Sequence, residues 1–199
     1  MKTTTRKFLY PVLLLCLFAI PVLALWAGIR SSYLLLFALT LFLGARLGNY
    51  QLRNFYNGLQ AMQRRDWPAA ETSFQAFLAE IVRRPWIKRL MWLNWGSYTG
   101  DIEAMTYNNL GAIGLETQRL DEAKVFLQKA LSIDTNYAKP HYNLAVIAVL
   151  QNETEASAQH FAEAARLGFT NSSFDQFLTK VQTDYAGFNA SVNGLVNRD

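Results

Sequence analysis

Hydrophobic patterning divides the chain into two regimes. Phe8 to Gly28 is an unbroken apolar run without a charge, and Tyr33 to Ala45 is a second, shorter run that ends at Arg46. Beyond residue 50 such runs give way to apolar positions recurring every three or four residues, the spacing of amphipathic helices. At a rise of about 1.5 Å per residue the first run reaches roughly 30 Å, the thickness of a bilayer's hydrocarbon core. Extended from Ser31 to Tyr50, the second run reaches a similar length, with the Arg46 head snorkelling to the interface. The pattern predicts a membrane anchor over residues 1–50, a transmembrane helical hairpin with helices at about 8–28 and 31–50.

Basic residues orient this hairpin. Lys2, Arg6 and Lys7 precede it, Arg30 alone lies in the connection, and Arg46, Arg53, Arg64 and Arg65 follow. The positive-inside rule then gives an integral membrane protein with everything after residue 50 facing the cytoplasm. A cleaved signal peptide is the competing reading, with Met1 to Lys7 as its charged region and Val22-Leu23-Ala24 as its cleavage site. Charge follows the same division: residues 1–99 carry a balance of +9 and residues 100–199 of −5, against +4 for the whole. Because the basic residues flank apolar runs, membrane lipid is the expected partner of that half, and no nucleic acid is expected. Cys16 stands alone, so neither an intramolecular disulfide nor a cysteine metal site can be built on it.

The second regime repeats. Ala104 to Tyr137 forms one unit, with Tyr107, Leu110-Gly111, Ala123, Leu127 and Ala130 at the places where paired helices need large and small residues. This segment resembles the tetratricopeptide repeat (TPR) motif, departing from it at Gly114 and Thr135. Gly111 and Ala123 are expected to let the two helices approach, with Tyr107 and Leu127 filling the space between neighbouring repeats. A second copy follows one unit length later through His141, Leu144-Ala145, Ser157, Phe161 and Ala164. An earlier copy carries Gly58, Ala70, Phe74 and Phe77, displaced from the central one by a full unit plus an insertion. The fold class is therefore all-α: the hairpin anchor, a short TPR-like α-solenoid of about three repeats over 51–170, and a capping helix at 171–185. Ser172 or Ser173 caps that last helix, and 186–199 form a flexible tail.

The resemblance implies a binding function rather than a particular chemistry. The first helix of each repeat is expected to line a partner-binding groove, with Asn108, Asn109, Ala112, Leu115 and Glu116 from one repeat and Tyr142, Asn143 and Val146 from the next. Asn109 and Asn143 hold the same place in successive units. An asparagine amide can pair with a peptide unit through its donor and its acceptor, so the two can hold a partner's backbone as a ladder; alternatively they brace adjacent helices. Phosphate loops, paired cysteines, His-Glu-x-x-His and nucleophile motifs are missing, so no enzyme, cofactor, metal or small-molecule substrate is expected. Of the two histidines, His141 fills a packing position and His160 is expected to face solvent.

The insertion, at about 82–100, concentrates Arg83, Arg84, Trp86, Lys88, Arg89, Trp92 and Trp95. Tryptophan and basic residues together favour a lipid–water interface, so the segment is expected to lie on the membrane surface unless its indoles pack under the repeats. The function these features suggest is a membrane-anchored TPR scaffold holding a protein or peptide partner, in assembly or organisation of a membrane complex. An obligate structural subunit of such a machine and a regulatory subunit of an enzyme are the alternatives.

Overall fold

A computed structural model describes residues 19, 26, 28, 31–88, 99 and 101–186. Eight helices run through them: α1 (Ser31–Gln51), α2 (Arg53–Gln63), α3 (Trp67–Arg83), α4 (Ile102–Glu116), α5 (Leu120–Ile133), α6 (Ala138–Leu150), α7 (Thr154–Arg166) and α8 (Phe174–Asp184). No strand occurs among the described residues, and the arrangement fits an α-solenoid. Helices α2/α3, α4/α5 and α6/α7 pack as three hairpins, and each hairpin leans on the next.

The three hairpins turn in the same way. Arg65, Gln118 and Asn152 occupy equivalent places and all have positive φ, at 57°, 64° and 61°. In each case the following N–H reaches back to the helix: Asp66 to the Ala61 carbonyl at 3.0 Å, Arg119 to Gly114 at 2.8 Å, Glu153 to Ala148 at 2.8 Å. These bonds satisfy carbonyls that a helix end otherwise leaves exposed, and they offset the steric cost of a left-handed non-glycine residue. Helix starts have local causes too. Asp66 caps α3 through the Ala69 N–H, and Asp101 caps α4 through Glu103 and Ala104. Ser173 and Gln176 form a reciprocal capping box at the start of α8.

Close approach within each hairpin rests on missing side chains. A Cβ on Gly58 would lie 2.7 Å from the Phe74 ring, and one on Gly111 would lie 2.6 Å from the Leu127 side chain. Gly114 faces Ala123, where a Cβ would come within 3.0 Å. Leu127 therefore packs inside its own hairpin, and Tyr107 stacks on Phe126 of that hairpin at 6.3 Å. Both residues also serve between repeats: Leu127 shares a buried cluster with Leu144, Ala145 and Phe161 of the third hairpin, and Tyr107 packs against the cluster that holds Leu52, Phe55, Phe77 and Ile81 of the first. At the surface Arg119 holds Glu71 with two nitrogens.

Helix α8 continues the spacing. Leu110, Leu144 and Leu178 succeed one another at the repeat period, as do Ile113, Ile147 and Val181. Phe177 and Val181 are buried against Leu144, Val146 and Phe161, while Asp175, Gln176, Thr179, Lys180, Gln182 and Thr183 are exposed. This helix is the first half of a further repeat whose outer face is polar, which suits the end of an array.

The transmembrane hairpin is not supported. Among the described residues no helix is long and apolar enough to cross a membrane. The uninterrupted apolar stretch of α1 is Tyr33 to Ala45, about 20 Å of helix, and Arg46, Gly48, Asn49 and Gln51 occupy its remaining turns. Most of the first proposed span, 8–28, and the tail from 187 onward lie outside the described residues.

In the third hairpin His141 and His160 take the places of Tyr107 and Phe126, with ring centroids 5.5 Å apart. His160 is half-buried against its partner rather than facing solvent. Burial holds both imidazoles below the ordinary histidine value; the neighbouring Glu163 charge partly opposes this at His141, and the His141 and Lys124 charges reinforce it at His160. A pKa lower in the folded state means that the unfolded chain takes up protons first as pH falls, so folding stability is fully present above about pH 6.5 and declines below it. Replacing the pair by tyrosine and phenylalanine should flatten stability against pH between about 7.5 and 5, as read by urea denaturation. By the same method, Gly58→Ala should cost about 1–3 kcal/mol, because the fully buried Phe74 ring packs edge-on against Phe55 and has little room to yield.

Candidate functional site

The first helices of the hairpins present the expected groove residues, but in three different states. On α4, Asn108 is buried, Asn109 and Ala112 are half-buried, Leu115 is buried and Glu116 is exposed. On α6, Tyr142 and Asn143 are half-buried and Val146 is buried.

Asn143 donates its Nδ2 to the Oδ1 of Asn108 at 3.1 Å. The asparagines that meet are thus Asn108 and Asn143, not the period-matched pair Asn109 and Asn143, and their bond braces α4 against α6. Asn108 is only 3% exposed, so its carbonyl oxygen depends on this partner. The next contact along the array keeps the offset: Tyr142 packs its ring on Phe177 of α8 at 5.3 Å, edge to face, and on Phe169 at 5.0 Å. What is an amide pair between α4 and α6 becomes an aromatic pair between α6 and α8.

Helix α8 also closes one end of the face. Tyr185 donates its hydroxyl to Glu116 Oε1 at 3.1 Å, reaching from beyond α8 back to α4. Burial, and then the Glu116 carboxylate, push the Tyr185 phenol well above its usual range. Leu115 and Val146 join the core under α8 with Val181. Of the groove candidates, Glu116 is exposed, and Asn109, Ala112, Tyr142 and Asn143 each keep partial accessible surface. Motif reading misses Tyr56 and Leu59 on α2, which stand at the places of Asn109 and Ala112; Tyr56 is 43% exposed. The offset between Gly58 and Gly111, applied along the two helices, is the signal that finds them.

The insertion begins as a turn packed on the repeats. Ile87 is fully buried in the first core cluster, and Lys88 is ion-paired with Glu103 at the start of α4. Arg83 and Arg84 are exposed, Arg84 donating to Gln51 at 2.8 Å, and Trp86 is half-exposed. Thr99, buried, is hydrogen-bonded to Asp134 and fixes the far end of the segment. Arg89, Trp92 and Trp95 lie outside the described residues. Among the described residues no group of three or more histidine, cysteine or carboxylate side chains is gathered for a metal.

Helix hairpins stacked at this spacing make an α-helical repeat protein. Residues 104–137, the α4/α5 hairpin with its flanks, match the Tetratricopeptide repeat family. A search of curated proteins finds no match to the chain. A tetratricopeptide repeat is a protein-binding unit, so the match supports a protein–protein interaction scaffold.

The asparagine contact separates bracing from binding. Asn143→Ala leaves the buried Asn108 oxygen without a donor and should lower stability by about 1–3 kcal/mol. Asn109→Ala should stay within about 0.5 kcal/mol of wild type. Equilibrium denaturation of the two variants decides between these roles.

Proposed function

We propose that the protein is a non-enzymatic scaffold that binds a protein partner on the face formed by α2 and α4, and so organises a multi-protein complex. The observation that carries this reading is the contrast along the first-helix face. On α6, Val146 is buried and the Tyr142 ring packs on Phe177 of α8, whereas Tyr56 is exposed and Leu59, Asn109 and Ala112 are half-buried.

The chemistry of the open portion favours a helical ligand. Tyr56 and Leu59 are one turn apart on α2, as Asn109 and Ala112 are on α4, giving a mixed apolar and amide surface without a charged ring. An amphipathic helix lays its apolar side on such a surface, and the small Ala112 leaves room for it. A ladder of asparagines gripping an extended backbone fits less well, because Asn143 already directs one of its two amide N–H donors at Asn108.

A photo-crosslinking residue placed in the full chain at Asn109 or Ala112 tests the face, with Val125 and Glu155, both exposed on second helices, as controls. The expected outcome is a discrete cross-linked protein from the first pair alone, with capture from position 109 lost when Ala112 is changed to Arg. Equal capture from both pairs, or capture that survives Ala112→Arg in a folded chain, overturns the assignment.

A further inference from the structure

The third hairpin differs from the second in one slot, and the difference is chemical. Tyr107, Phe126 and Lys129 in the second hairpin correspond, one repeat period on, to His141, His160 and Glu163. In the second hairpin the rings stack and the Lys129 ammonium lies 5.6 and 5.8 Å from the two ring centroids. The Lys129 side chain therefore reaches over both rings. In the third hairpin each member of the triad has been exchanged for a metal-ligating type, and the cation has become a carboxylate.

We infer that His141 and His160, joined by Glu163, form a binding site for a divalent transition-metal ion of the Zn²⁺ type. The two Nδ1 atoms face each other at 3.3 Å. That is long for a hydrogen bond, and it equals the edge of a tetrahedron whose metal–nitrogen bonds are about 2.0–2.1 Å. Ligation requires unprotonated imidazoles, and burial keeps both rings neutral near pH 7.

Glu163 supplies the third ligand after a side-chain turn. It lies one helical turn beyond His160, and its charge is felt at His141. At present its oxygens accept from Arg166 Nε and Nη2 at 2.7 and 2.6 Å, so no three ligands are yet gathered. The Arg166 side chain is 63% exposed, where such pairs are weak and readily exchanged. The other nearby cation, Lys124, is matched by Glu153 at 3.7 Å.

Calorimetric titration of the metal-stripped full chain with Zn²⁺ tests this. One ion per chain is expected, with Co²⁺ giving the visible absorption of a tetrahedral site. The double variant His141→Tyr/His160→Phe restores the pair used by the second hairpin, which preserves the packing; its circular dichroism checks the fold. Its affinity should fall at least about a hundredfold, and Glu163→Gln should weaken binding by about tenfold. Absence of binding to the wild-type chain overturns the proposal. So does binding of equal strength to the wild type and the double variant. Loss on removing the histidines with no effect of Glu163→Gln overturns the carboxylate's part.

Discussion

Everything in this fold depends on how closely two helices can lie within one hairpin. Gly58 and Gly111 give up their side chains so that Phe74 and Leu127 can rest on bare backbone. Once that spacing is set, the turn between the helices is short and has one geometry, seen at Arg65, Gln118 and Asn152 alike. Repetition of the geometry then aligns the first helices, and alignment places the residues of one repeat beside neighbours displaced by one period and a single residue more, as at Asn108 and Asn143. Packing inside the unit thus determines which side chains meet between units.

The third hairpin reaches the same spacing by another route. Ala145 and Ala148 stand where Gly111 and Gly114 stood, and Ser157 replaces Ala123. Ser157 is fully buried and donates its hydroxyl to the Ala145 carbonyl at 3.0 Å. A hydrogen bond has taken over part of the role of an empty space, and a buried hydroxyl with a partner costs little.

Much of this was legible from residue spacing, because close packing leaves a record of small and large residues at fixed intervals. The unit at 104–137 could be read from Gly111, Ala123 and Leu127 alone. Contact partners were harder. Asn109 aligns with Asn143 by period, yet Asn143 meets Asn108, since stacked helices are offset by a residue. A lone histidine on a second helix carries no mark of burial, so the half-buried place of His160 is legible only from its equivalence to Phe126. The capping helix was visible, but its continuation of the repeat through Leu178 and Val181 required extending the period past Gly168. At the other end, apolar content was read as length. That carried α1 through Arg46 and the polar turns after it, and those turns leave too short an apolar helix.

The polar outer face of α8 has a consequence for how these molecules coexist at high concentration. A helical repeat with a bare end is a template, since the surface that receives the next unit of the same chain can equally receive a unit from another. On α8, Asp175, Thr179, Lys180 and Gln182 face solvent, so this helix presents charges, hydroxyls and amides rather than an apolar strip to a neighbouring molecule.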